Sequence, residues 1–152
     1  METSQKQIQP TRITRANAGL VVVDIQERLL PAICERERVV QNALRLIKGA
    51  GILNLPVLVT EQYRKGIGAT VSAIASAILD FAPIEKTAFS CLGAPGFVER
   101  LRSRGVSEVV LCGIETHVCV CQTTLDLLTA GFRPFVVADA ISSRTPENHR
   151  LG

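Results

Sequence analysis

The sequence is short of aromatic residues: among 152 positions there is no tryptophan, one tyrosine and five phenylalanines. That leaves few of the flat platforms on which single-stranded bases stack. Its net charge of +3 is scattered, and the one dense stretch, Glu35-Arg36-Glu37-Arg38, alternates in sign as a solvated helix face does. Nucleic acid is therefore not an expected partner. No apolar run approaches the ~18 residues a membrane-spanning helix needs, so no membrane is expected either. The start of the chain carries Arg12 and Arg15 but no apolar segment of the kind that directs secretion. The expected location is cytoplasmic, with a mitochondrial one as the alternative.

Cysteine is present in an odd number, at positions 34, 91, 112, 119 and 121, with no C-x-x-C spacing. This reads as a set of reduced thiols rather than a disulfide framework. With 47% hydrophobic residues, a chain of this length has enough apolar material for one core. Residues 1–17 are read as a flexible N-terminal segment and residues 18–152 as a single domain.

Four apolar, β-branched runs recur: Gly19 to Ile25, Leu55 to Thr60, Ser107 to Cys112 and Pro134 to Asp139. They are continuous rather than alternating, as parallel strands buried on both faces are. A weaker fifth run, Ile84 to Phe89, reads as a central strand. Between them the period turns helical. Val40, Ala43, Leu44 and Ile47 follow i, i+3, i+4, i+7, and Ile74, Ala77, Ile78 and Phe81 repeat the spacing. A third helix is expected from Pro95 to Arg104, with Gly105 as its stop. A fourth is expected from His117 to Ala130, with Thr116 as N-cap, Gly131 just beyond its end, and Val118, Cys121, Leu125 and Leu128 as its apolar stripe.

Alternating strands and helices predict a three-layer α/β/α sandwich around a mainly parallel, Rossmann-like sheet. Sites in such sheets form at the carboxyl ends of strands. That rule selects Asp24, Glu61, Lys86, the turn 113–119 and Asp139. Cys119 falls early in a helix that follows a buried strand, where unpaired N–H groups and the helix dipole favour a thiolate. A cysteine taken at random is more often a small core residue. Asp24, however, closes an apolar strand, where an unpaired carboxylate is expensive to bury, and Lys86 stands in a mostly apolar neighbourhood that calls for an anionic partner. Together they make a base, a cation and a thiol.

Four segments carry a resemblance: Val21-Val22-Val23-Asp24-Ile25-Gln26, Pro56 to Tyr63, Glu85 to Ser90, and Cys112-Gly113-Ile114-Glu115-Thr116-His117-Val118-Cys119. With them the chain resembles the isochorismatase-like or cysteine hydrolase superfamily from Ala18 to Arg144. The wording is most similar to the isochorismatase domain-containing proteins. The resemblance implies the isochorismatase-like hydrolase fold and a catalytic triad of Asp24, Lys86 and Cys119, in which a thioester intermediate forms on the cysteine. It also implies a cis peptide bond at Ile114–Glu115, with the backbone N–H groups of Glu115 and Cys119 as an oxyanion hole. His117, Tyr63 and Phe89 are expected to contact substrate. Relatives with a metal site use histidine between the first strand and the lysine, and no histidine precedes His117 here, so neither a metal nor another cofactor is expected. The resemblance further implies a C-terminal helix and strand beyond the last residues of this chain. The expected partners are a small-molecule substrate and further copies in a homo-oligomer. The expected function is cysteine-dependent hydrolysis of a small amide-like or related carbonyl compound. The alternative is a non-catalytic protein that keeps the fold and acts through oligomer assembly.

Overall fold

Runs that are apolar at every position have to be covered on both sides, and the computed structural model, which describes residues 12–152, covers them with helices on each face of one sheet. Strand β1 (Ala18–Val23) is followed by α1 (Arg36–Leu53), β2 (Val57–Gln62), the single turns α2 (Arg64–Ile67) and α3 (Ser72–Ala75), and β3 (Ile84–Lys86). Then come α4 (Phe97–Ser103), β4 (Glu108–Ile114), a π-type turn at Thr116–Val120 running into α5 (Cys121–Thr129), β5 (Arg133–Ser142) and α6 (Pro146–Leu151). The sheet order is β3-β2-β1-β4-β5 and every pairing is parallel. This is the expected three-layer α/β/α architecture.

The alternation along β1 divides the core. Leu20 and Val22 pack with Val39, Ala43 and Ile47 of α1 on one face. Val21 and Val23 pack with Phe97 and Leu101 of α4 and with Cys119, Val120 and Leu127 on the other. Successive strand residues point to opposite faces, so a strand buried on both needs an apolar residue at each step.

The start of the domain is tied to the sheet as well. Thr14 donates through N and Oγ1 to Glu108 Oε2, at 2.6 and 3.0 Å. Residues 1–11 of the segment read as flexible lie outside the described residues.

Several expectations are corrected. β3, read as central, is an edge strand; it is short and leaves Glu85 exposed, so it needs less apolar length than a strand covered on both sides. The helix expected through Ile74, Ala77, Ile78 and Phe81 is one turn, α3, and only Ile74 of the four is fully buried. On α5 the buried positions are Thr123 and Leu127, continuing Cys119 and Val120 of the preceding turn, whereas Leu125 and Leu128 are exposed. The π-type turn is wider than an α-turn, so it rotates the face that α5 presents to the sheet. Thr116 does not cap this helix through its side chain; its hydroxyl instead meets His149 Nδ1 at 3.0 Å.

Candidate active site

The site is built where β1, β2, β3 and β4 end. Asp24 follows β1 in a left-handed conformation, φ 54°, one that aspartate adopts more readily than most residues. Each oxygen of its carboxylate accepts a hydrogen bond. Thr60, across the β1–β2 pairing, donates Oγ1–H to Oδ1 at 2.7 Å, and Lys86 donates from Nζ to Oδ2 at 2.7 Å. Lys86 also donates to Gln62 Oε1 at 2.7 Å and to the carbonyls of Phe89 and Ala88 at 2.9 and 3.2 Å. Both side chains of the Asp24–Lys86 pair are fully buried. A buried ion pair persists only when its remaining valences are met, and here they are.

Cys119 enters from the π-type turn. Gly113 sets that turn: its φ is 145°, and a Cβ there would stand 2.2 Å from the Val23 carbonyl oxygen. Only glycine lets β4 pass this close to β1 at the end of the sheet. The expected cis bond at Ile114–Glu115 is absent, since every described peptide bond is trans. The chain turns instead through a left-handed Glu115, φ 59° and ψ 62°, a conformation that costs about 1–3 kcal/mol against about 3–4 for a cis bond before a non-proline residue.

The Cys119 thiol is 3% exposed. Burial pushes it up to about 12, and the neighbouring Asp24 carboxylate adds to that through its charge and as a hydrogen-bond acceptor, while Lys86 pulls the other way. Burial and Asp24 thus oppose the thiolate that the helix terminus is expected to favour. At rest the group is a neutral thiol beside a carboxylate. One further buried thiol, Cys91, shares this face. Cys91 Sγ lies 3.6 Å from Thr60 Oγ1, and burial followed by the charge of Asp24 raises it to about 11.

A cleft of ≈ 320 Å³ opens over the cysteine. Leu29, Ile67, Phe89 and Val118 give it apolar wall, and Gln62, Glu115, His117 and Arg144 give it polar wall. His117 and Phe89 thus both line the cleft. Tyr63 does not: it is 54% exposed and borders a separate depression with Lys65, Glu85 and Gly93. Its own left-handed φ of 37° turns it away as α2 begins. Asp139 lies within β5 rather than at its end and is exposed, and its carbonyl accepts from Asn42 Nδ2 at 2.7 Å and from the Arg38 guanidinium at 2.5 Å. Glu61 is fully buried but serves the 63–70 loop, accepting from Thr70 N and Oγ1 at 2.7 and 2.8 Å and from Arg64 at 2.7 Å. Among the described residues no group of three or more His, Cys, Asp and Glu is arranged to hold a metal ion.

Sequence reasoning passed over Thr60, Gln62, the Glu115 side chain and Arg144. Thr60 and Gln62 stood beside the selected Glu61, and the period-2 alternation of a strand was the signal that one of each neighbouring pair faces the site. Arg144 had no such signal, because nothing in its loop fixes where it lands. It donates from Nε to Glu115 Oε1 at 2.6 Å.

A parallel sheet covered by helices on both faces, with a buried Asp–Lys pair and a thiol at its carboxyl edge, defines a three-layer α/β class of protein. The model of the isochorismatase domain matches residues 18–152, and the chain belongs to that family. It is 40% identical over 135 residues to isochorismatase domain-containing protein 2 of Danio rerio, covering 88% of this chain and 67% of that protein. It is 45% identical over 135 residues to isochorismatase domain-containing protein 1 of the same fish, covering 88% of this chain and 47% of that one. The chain therefore spans about half to two thirds of the length of these relatives. Among solved structures, the MAR1 ribonuclease of Caenorhabditis elegans superposes with a TM-score of 0.86 at 41% identity, covering 93% of this chain and 72% of that one. The YcaC gene product of Escherichia coli, described as an octameric hydrolase of unknown specificity, gives 0.86 at 26% identity, over the same two shares.

Proposed function

We propose that this protein is a cysteine-dependent hydrolase of a small amide-like or related carbonyl compound, with Cys119 as nucleophile, Asp24 as base and Lys86 as the cation that holds Asp24. The observation that carries this reading is the carboxylate of Asp24 held by Lys86 and Thr60, each at 2.7 Å, on the face of the sheet where Cys119 is buried and close enough for its charge to raise the Cys119 thiol.

The raised Cys119 thiol keeps its proton until a substrate carbonyl is in place. Attack and proton transfer to Asp24 then proceed together, which avoids a standing buried thiolate. The carbon–nitrogen bond breaks as Asp24 returns the proton to the leaving amine. Backbone N–H groups of Glu115 and Cys119 receive the oxyanion. Water hydrolyses the thioester and restores the thiol. The cleft, with its apolar wall and few polar groups, suits a small molecule. No helix among the described residues is long and apolar enough to cross a membrane, and we place the protein in the cytoplasm as a homo-oligomer.

A panel of small amides and activated esters, compared between wild type and Cys119→Ala, tests the reading. Turnover that vanishes in the variant supports it. Turnover that survives removes Cys119 from the mechanism. A second reading, a non-catalytic protein acting through assembly, draws on the exposed Leu125, Leu128 and Val136, which leave an apolar face on and beside α5. It predicts no Cys119-dependent turnover on any member of the panel.

A further inference from the structure

We propose that the loop 63–70 is a fixed wall of the cleft, that Ile67 in it limits the length of the apolar group carried by the substrate carbonyl, and that Glu61 is the positioning residue for that wall. The proposal rests on the cysteine-hydrolase reading above and narrows its substrate to an amide whose carbonyl bears a short aliphatic group.

Part of the apolar wall comes from two neighbouring loops. Leu29 follows β1 and Ile67 ends α2, and both line the cleft and pack with the cluster on the α1 face of the sheet. Phe89 and Val118 complete the apolar part of the cleft. A loop beside a site can open and close unless its backbone is held. Here it is held residue by residue. Arg28 donates from Nη1 to the Gly66 carbonyl at 3.0 Å and from its backbone N to that of Ile67 at 3.1 Å. Gln26 Nε2 donates to the Gly68 carbonyl at 2.7 Å, and Glu27 N to that of Ala69 at 2.9 Å. Four successive carbonyls are thus taken by residues 26–28, which fixes the backbone that carries the Ile67 side chain.

Glu61 ties the two ends of the same loop. Its Oε2 accepts from Arg64 Nη1 at 2.7 Å, and its Oε1 accepts from Thr70 N and Oγ1 at 2.7 and 2.8 Å. The side chain is fully buried and does not line the cleft. A buried carboxylate is expensive, and an apolar residue would fill the space at less cost. All the donors printed on this carboxylate belong to one loop, so the charge is matched to the shape of that loop. A wall set before the ligand arrives costs no ordering on binding. It also cannot retreat from a group that is too long, which makes it selective.

Aliphatic aldehydes test this, because they carry one substituent and no leaving group. The Cys119 sulfur bonds to the carbonyl carbon, the π pair moves to the oxygen, and the thiol proton follows by way of Asp24. The product is a hemithioacetal, with nothing oxidised and nothing released. Acetaldehyde, propanal, butanal, pentanal and hexanal, isotope-labelled at the carbonyl carbon, are titrated into the whole chain. The hemithioacetal NMR signal that is missing in Cys119→Ala gives a dissociation constant for each.

Wild type should bind about 4-fold more tightly per added methylene, up to one chain length, and lose affinity beyond it. Ile67→Ala should move that turning point to a longer aldehyde. Glu61→Gln should flatten the series, whereas a merely structural role would weaken every aldehyde by one common factor. A wild type indifferent to chain length, or a turning point unmoved in Ile67→Ala, overturns the proposal while leaving the hydrolase reading intact. A common factor in Glu61→Gln overturns the role of Glu61. Should that variant not fold, Arg64→Met, which strips one partner from the carboxylate at an accessible position, takes its place: a flatter series is expected, and an unchanged one overturns the role of Glu61. A wild type that forms no Cys119 hemithioacetal with any aldehyde removes both the proposal and the hydrolase reading.

Discussion

Lys86 Nζ lies 2.7 Å from Asp24 Oδ2, a contact between residues 62 apart in sequence that spans from the edge strand β3 past β2 to the central strand β1. Because both charges are fully buried, removing one strands the other. Lys86→Met should therefore cost about 3–5 kcal/mol of stability, as breaking buried pairs does. Urea unfolding measures it. A cost below about 1 kcal/mol, the worth of an exposed pair, would show that Asp24 finds another partner or solvent.

Thr60 holds the other oxygen of the same carboxylate at 2.7 Å. Thr60→Val keeps the shape and deletes the donor, leaving a buried acceptor on Asp24. The expected cost is about 1–3 kcal/mol, with a parallel loss of Cys119-dependent turnover. Unchanged stability and rate in this variant would mean that Lys86 alone orients Asp24.

Three buried thiols make alkaline stability a further check. Burial raises Cys112 and Cys119 to about 12 and Cys91 to about 11, from an ordinary 9.0. A thiol that holds its proton more tightly when folded stabilises fully below pH 9, and the unfolded chain loses its proton first as pH rises. Unfolding is thus favoured progressively from about pH 9 to 12. Equilibrium unfolding between pH 8 and 11 should show stability falling, and the fall should be shallower in Cys119→Ala. A flat profile would place these thiols in contact with water.

Much of this arrangement was legible in the sequence, for identifiable reasons. The β-branched runs around Val21 and Val110 located the strands because full burial leaves an unbroken apolar signature. Asp24 stood out because a carboxylate after three valines needs a reason. The need of Lys86 for an anion is legible from its apolar surroundings, whereas the edge position of its strand is not, since a short strand carries no mark of its neighbours. The α5 stripe failed because a π-type turn at Thr116–Val120 shifts the helical phase, and five residues in that geometry do not differ in composition from an α-turn. Tyr63 was selected by its place in a motif, but a left-handed backbone at that position sends it elsewhere. Glu115 was assigned only a backbone role. Its side chain acquires meaning from Arg144 and His117, partners that loop geometry alone brings together.

Self-association and substrate size can be checked without knowing the substrate. The chain has a mass of 16.4 kDa. Sedimentation at micromolar concentration should give a homo-oligomer well above that mass, and a single monomeric boundary would contradict it. The Caenorhabditis elegans neighbour is described as a ribonuclease. The small-molecule reading proposed above rests on a cleft of ≈ 320 Å³ in which Phe89 is the aromatic of the wall. RNA incubated with wild type and Cys119→Ala should be cleaved equally little, and Cys119-dependent cleavage would overturn the small-molecule reading.

The most direct measurement is peptide-mapped mass spectrometry of the protein quenched during reaction with activated esters and small amides. Cys34 and Cys121 are half-buried and Cys119 is buried, so accessibility alone would direct acylation to the first two. An acyl group on Cys119, lost in Cys119→Ala and formed far more slowly in Asp24→Asn, is the predicted result. An acyl group on Cys121 or Cys34 with Cys119 unmodified, or turnover that persists in Cys119→Ala, would contradict the account.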